Sequence, residues 1–176
     1  MEKSIKSVAT NYGLYLGILL VFWTGLCYVI SLELLVNFWF NLLVLPLVII
    51  VFGVISISKS KKNLGGFISF KEAFTSYFIT ILIGLLISSV VSIVLFNFVD
   101  TEAAVELKEI VVEKTISMME RFSAPPETIA TQIEALEAQD TFSFKTQFLQ
   151  FLQGLLFFTI IGLIAAAIMK KNNPES

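Results

Sequence analysis

The chain has 176 residues, 56% of them apolar and 15% charged, against about 45–50% and about 25% in soluble globular domains; a chain this greasy, with 17 phenylalanines, cannot hide its surface in a core of its own, so lipid is its natural solvent. One cysteine, Cys27, and no histidine exclude an intramolecular disulfide, the usual Cys/His zinc sites and the histidine-based nucleophile triads. The net charge of −2 conceals a strong segregation of charge along the chain.

A membrane helix needs about 20 mostly apolar residues, since each adds about 1.5 Å across a hydrocarbon core about 30 Å thick. Residues 12–32 meet that length behind Lys3 and Lys6. The apolar run is too long for a signal core and no small-x-small cleavage motif follows, so a permanent helix is expected. Cys27 follows Leu26, not the small residue a lipoprotein site wants, and reads as a packing residue. A short connection around Glu33 and Asn37 leads to the second span, residues 38–57. Pro46 inside it leaves a carbonyl unpaired and is expected to kink the helix.

Lys59, Lys61 and Lys62 follow, with Lys71 close behind. Gly65 and Gly66 let this connection turn. Ser69 and Glu72 then form a Ser-x-x-Glu capping box ahead of the third span, residues 73–98, and Phe70 and Phe74 anchor the same boundary. The plain reading is boundary chemistry; the sharper one makes Lys71 and Glu72 a cytoplasmic contact site. The glycine pair lacks P-loop spacing and its Lys-Ser/Thr ending.

Residues 99–147 hold ten acidic and four basic side chains. Leu107, Ile110, Val111, Met118 and Phe122 recur near helical spacing, and Ser123-Ala124-Pro125-Pro126 breaks the pattern. A second helix is expected from near Pro126, with Glu127 in its first turn and Ile129, Ile133 and Leu136 on one face. Residues 100–147 therefore read as an amphipathic helical hairpin, with Glu120 and Arg121 near its tip as interaction candidates. Asp100-Thr101-Glu102 and Gln139-Asp140 lack the alternating ligands and glycine bend of a calcium loop, so a solvated acidic face is expected. The fourth span, residues 148–169, follows a second capped boundary, Phe142-Ser143-Phe144-Lys145-Thr146-Gln147-Phe148, and ends at Lys170 and Lys171.

Orientation follows from the lysines. Eight of the 12 basic residues (Lys3, Lys6, Lys59, Lys61, Lys62, Lys71, Lys170, Lys171) fall on the three segments that four spans place on one side. Both termini are therefore expected in the cytoplasm and the hairpin outside. Small residues recur at helical spacing as Gly13/Gly17, Gly84/Ser88/Ser92 and Gly162/Ala166, and suit close packing within one bundle or between copies. Asn41, Gln150 and Gln153 suit interhelical hydrogen bonds, and no Asp, Glu, Lys or Arg stands within the four spans.

The stretch Gly65-Gly66-Phe67-Ile68-Ser69-Phe70-Lys71-Glu72-Ala73-Phe74, with Phe96-Asn97-Phe98-Val99-Asp100 closing the third span, resembles a family of small four-span proteins from Gram-negative bacteria known only as a domain of unknown function. The resemblance runs from Tyr12-Gly13 to Lys170-Lys171. It implies a bacterial inner-membrane location and the same four-span layout, and carries no catalytic residue, cofactor or substrate.

The expectation is one all-α integral membrane domain over residues 1–176, with four transmembrane helices and an extracytoplasmic helical hairpin between the third and fourth. Its role reads as that of a non-enzymatic binding or assembly component of the cell envelope. Its partners would be the lipid bilayer and either itself or another envelope protein, with no nucleic acid, metal or cofactor. The alternative is a small-solute channel or transporter subunit with a pore formed by oligomerisation, which needs Asn41, Ser88, Ser92, Gln150 and Gln153 around one wet cavity. An intramembrane enzyme would need titratable groups at membrane depth.

Overall fold

The computed structural model describes residues 2–138 and 141–171, and every regular element among them is helical. Helix α1 spans Glu2–Ile30 and is followed by a 3-10 turn, Leu32–Val36. A π-helical turn, Phe40–Val44, opens α2, Leu45–Asn63. Helix α3, Phe70–Val94, widens into a second π-helical turn, Leu95–Val99. Then come α4 (Thr101–Arg121), α5 (Pro126–Ala138) and α6 (Phe144–Met169). Four stretches are long and apolar enough to cross a membrane: Ser4–Ile30, Phe40–Asn63, Phe70–Val99 and Phe144–Met169.

These helices outrun the apolar count at most ends. Helix α1 begins well before residue 12 because Ile5 and Ala9, one helical turn apart, are buried against the bundle. Helices α3 and α6 start at their serine caps and not at the first apolar run. The Ser69 hydroxyl accepts the Glu72 N–H at 3.3 Å while the Glu72 carboxylate accepts the Ser69 N–H at 2.9 Å. Ser143 accepts the Thr146 N–H at 3.3 Å. Pro46 lies in the first turn of α2, directly after the π-helical turn in which the Leu45 N–H reaches Phe40 O. The wide turn changes register where proline has no N–H to give.

Helix α3 is the hub, packing on α1, α2 and α6. Glycines decide how closely. A Cβ on Gly13 or Gly17 of α1 would lie 2.8 Å from Ile83 or Ile87 of α3, and one on Gly84 of α3 would lie 2.5 Å from Leu16 of α1. The two helices thus exchange knobs and hollows, which is how small residues draw membrane helices together. Cys27 is buried in α1.

The two ends of the bundle differ. At the lysine-rich end, Gly65 and Gly66 adopt left-handed φ of 78° and 92°, and the Gly66 N–H closes α2 on Lys61 O at 2.9 Å. Ile68 and Lys171 exchange backbone hydrogen bonds of 2.9 and 2.8 Å. Lys61 donates its Nζ proton to Met169 O at 3.0 Å, satisfying a carbonyl at the negative end of α6. At the acidic end, Leu32, Phe96, Ala103, Ala104 and Leu107 form a second apolar cluster that seats the first turns of α4 across the ends of α1 and α3.

Candidate functional site

The interior holds a chain of hydroxyls. Ser56 and Ser60 of α2, and Ser76 and Thr80 of α3, are fully buried. Ser76 Oγ lies 2.9 Å from Ser56 Oγ and 2.8 Å from Ser60 Oγ. The Thr80 hydroxyl has one proton and three acceptors in reach: Ser56 Oγ at 2.8 Å, Ser76 O at 2.9 Å and Ala9 O of α1 at 3.1 Å. Beside them the Tyr77 ring is wedged between Gly53 of α2 and Gly162 of α6, with its hydroxyl buried and unpartnered among the described residues. A hydroxyl becomes a nucleophile beside a base; these have one another and backbone carbonyls. The arrangement ties α1, α2 and α3 together.

The side chains a channel would need are not gathered inside this bundle. Asn41 donates to Leu35 O at 2.6 Å and Asn37 O at 3.0 Å, both in the first connection. Ser88 and Ser92 are half-buried on α3, while Gln150 and Gln153 are exposed on α6. By helical spacing Gln153 lies opposite the buried Phe158, Gly162 and Ala166. An apolar cleft of about 350 Å³ runs between Trp23, Asn37, Trp39, Phe40 and Val44; Asn37 Oδ1 there accepts the Phe40 N–H at 3.0 Å. Among the described residues no three Asp, Glu or Cys side chains cluster as a metal site would require. Asp140, one of the acids weighed for calcium, lies outside those residues.

The remaining candidate is the hairpin. Its base is held firmly. The Tyr28 hydroxyl donates to Asp100 Oδ2 at 2.6 Å, and Asp100 Oδ1 caps α4 by accepting the Ala103 N–H at 2.9 Å. Those two hydrogen bonds hold the Asp100 carboxyl below its ordinary pKa, the Tyr28 bond contributing most. Lys114 reaches Glu33 at 3.3 Å, with both side chains about half exposed, a pair worth only about 0–1 kcal/mol. Beyond this base the cover ends. Helix α5 packs against α4, linked by Lys108 Nζ donating to Glu137 O at 2.8 Å, and has no fully buried residue.

At the tip, Ser123 takes a left-handed φ of 55° and the Ala124 N–H returns to Met119 O at 3.0 Å. Pro126 opens α5 with Glu127 in its first turn, where the sequence places them. Glu120 and Arg121 are both exposed there. Between them and the turn stands Phe122, 82% exposed. It closes the apolar repeat of α4, and the bundle does not cover it. Lys71 is also exposed, whereas the Glu72 carboxylate is engaged by the Ser69 N–H and hydroxyl. The Lys71/Glu72 pair therefore divides: one residue is a helix cap and the other a surface charge.

A family model described as "Protein of unknown function (DUF4199)" matches residues 11–171. No curated protein and no solved structure matches the chain.

Proposed function

Because this chain belongs to the DUF4199 family, a protein family of unknown function, we propose its role from its geometry: a non-enzymatic, multi-pass protein of the bacterial inner membrane that holds a helical arm ready for another envelope protein. The observation that carries this reading is the contrast along α4. Its first turns are buried with Leu32 and Phe96, while no residue of α5 is buried and the far end of α4 presents Phe122 beside Glu120 and Arg121. A large exposed aromatic flanked by charges is the composition of an interface anchor. The lysines at the opposite end of the bundle support cytoplasmic termini and an arm outside.

The channel reading has less support, since Asn41, which such a pore needs, is bonded into the first connection. The test is photo-crosslinking in cells from an amino acid placed at Phe122, with Leu156, exposed on α6, as control. One discrete adduct from Phe122, reduced by Glu120→Lys and Arg121→Glu together, is expected. Equal adducts at both positions, or none from Phe122, overturn the proposal. Orientation is checked in Cys27→Ala protein: a cysteine replacing Glu120 should react with a membrane-impermeant maleimide added outside, and one replacing Lys71 should not.

A further inference from the structure

Helix α6 carries two side-chain amides that its own bundle does not use. Gln150 and Gln153 are exposed and make no hydrogen bond among the described residues. Gln153 stands nine residues into a helix of 26, about 14 Å from its start at about 1.5 Å per residue. With a hydrocarbon core about 30 Å thick centred on such a helix, that position lies well inside the lipid. Acyl chains neither donate nor accept, so an amide left there loses its partners without replacement.

The same face shows how the loss is made good. Gln150, Gln153, Gly154 and Phe157 follow i, i+3, i+4 and i+7 spacing, a single stripe along the helix. Gly154 differs from the packed glycines of the bundle: a Cβ there would meet nothing within 4 Å, whereas at Gly13, Gly17, Gly53, Gly84 and Gly162 it would strike a side chain at 2.8 Å or less. The stripe therefore has an open hollow beside two amides. A side-chain amide carries both N–H donors and a carbonyl acceptor, so it complements its own copy across a two-fold axis, where one patch meets itself.

We infer that two copies of this chain pair through this face of α6, with the Gln150 and Gln153 amides hydrogen-bonded across the axis and the second backbone approaching over Gly154. This pairing does not rest on the role given to the hairpin, because it uses a different surface and a different occupant.

The test is oxidative cross-linking of the full chain in bacterial membranes, in a Cys27→Ala background. Phe157→Cys keeps both amides and sits on the stripe; Val90→Cys, exposed on α3, is the control. Phe157→Cys is expected to give a species of twice the 19.6 kDa chain mass, at least tenfold above the control. Adding Gln150→Leu and Gln153→Leu should reduce it at least tenfold while leaving the unfolding midpoint of the single chain unchanged, since neither exposed amide is hydrogen-bonded among the described residues. Equal cross-linking at positions 157 and 90, a product of any other mass, or a dimer band that survives the double leucine variant would overturn the inference.

Discussion

The sharpest test of the interior is Tyr77→Phe, because the expected sign is unusual: removing a polar group should stabilise the fold. The Tyr77 ring is held from two sides. A Cβ on Gly53 would lie 2.3 Å from its Cε2, and one on Gly162 would lie 2.5 Å from its Cδ1. Phenylalanine keeps the ring and that clamp. What it removes is a fully buried hydroxyl without a partner among the described residues. Such a group costs about 1–3 kcal/mol. The void left by one oxygen takes back a few tenths, at about 24 cal/mol per Å³. A net gain of about 1 kcal/mol follows. It is measured by SDS titration of the full chain in mixed micelles, followed by the fluorescence of its two tryptophans, Trp23 and Trp39, the first of which stacks on Phe40 at 4.1 Å. A loss of 1 kcal/mol or more would show that the hydroxyl is hydrogen-bonded in the membrane, and the reasoning would fail. Gly53→Ala serves as the counter-experiment: its methyl meets a ring that Gly162 stops from retreating, so a cost of about 1–3 kcal/mol is expected. If both variants destabilise, the wedge stands and the orphan hydroxyl does not.

Ser76→Ala removes the bridge between Ser56 and Ser60; at about 0.6 and at most about 1.7 kcal/mol per bond in lipid, a loss of about 1–3 kcal/mol is expected in the same titration. Gly84→Ala sets a methyl 2.5 Å from Leu16 and should lower the midpoint, whereas Gly154→Ala, with nothing within 4 Å, should leave it alone in monomeric protein. Asp100 is held below its ordinary pKa, chiefly by the Tyr28 hydroxyl, so it stabilises the seat of α4 above its unfolded pKa and loses that contribution as pH falls through the folded value. Protection from hydrogen exchange in the first turns of α4, relative to the intrinsic rate at each pH, should therefore hold from neutral pH through the ordinary carboxylate range and fall only below it. Tyr28→Phe should weaken that acid dependence.

Much of this architecture is written in local pattern. Span number follows from uncharged length, and the starts of α3, α5 and α6 follow from Ser69, Pro126 and Ser143, because a cap is a contact between near neighbours. Tertiary pairing is less legible. Ser56/Ser60 and Ser76/Thr80 are each one helical turn apart, a visible signal. Nothing local says that the two pairs face each other, and the same spacing would serve lipid-facing hydroxyls bonded to their own helix. The lysines count toward orientation by number alone, yet Lys61 also caps α6 from another helix. The tip residues Glu120 and Arg121 could be placed by the proline pair. The exposure of Phe122 could not, since an apolar repeat gives a face without saying where the covering surface stops.

That stopping point divides the molecule mechanically. The bundle is tied by reciprocal glycine contacts, buried hydroxyls and a backbone clasp between Ile68 and Lys171, all of which must break together. Helix α5 is tied to α4, with half-buried apolar contacts at Ile129, Ile133 and Leu136. Local opening follows the number of buried contacts released, so α5 should exchange its amides far faster than α3. The proposed partner, clamping the hairpin, would order that element, and the base of α4 would pass any displacement to Leu32 and Phe96, at the ends of α1 and α3. Phe142, just ahead of α6, lies 5.3 Å from Phe96. The root of the arm and the start of α6 therefore meet at an aromatic contact, through which either would act on the other.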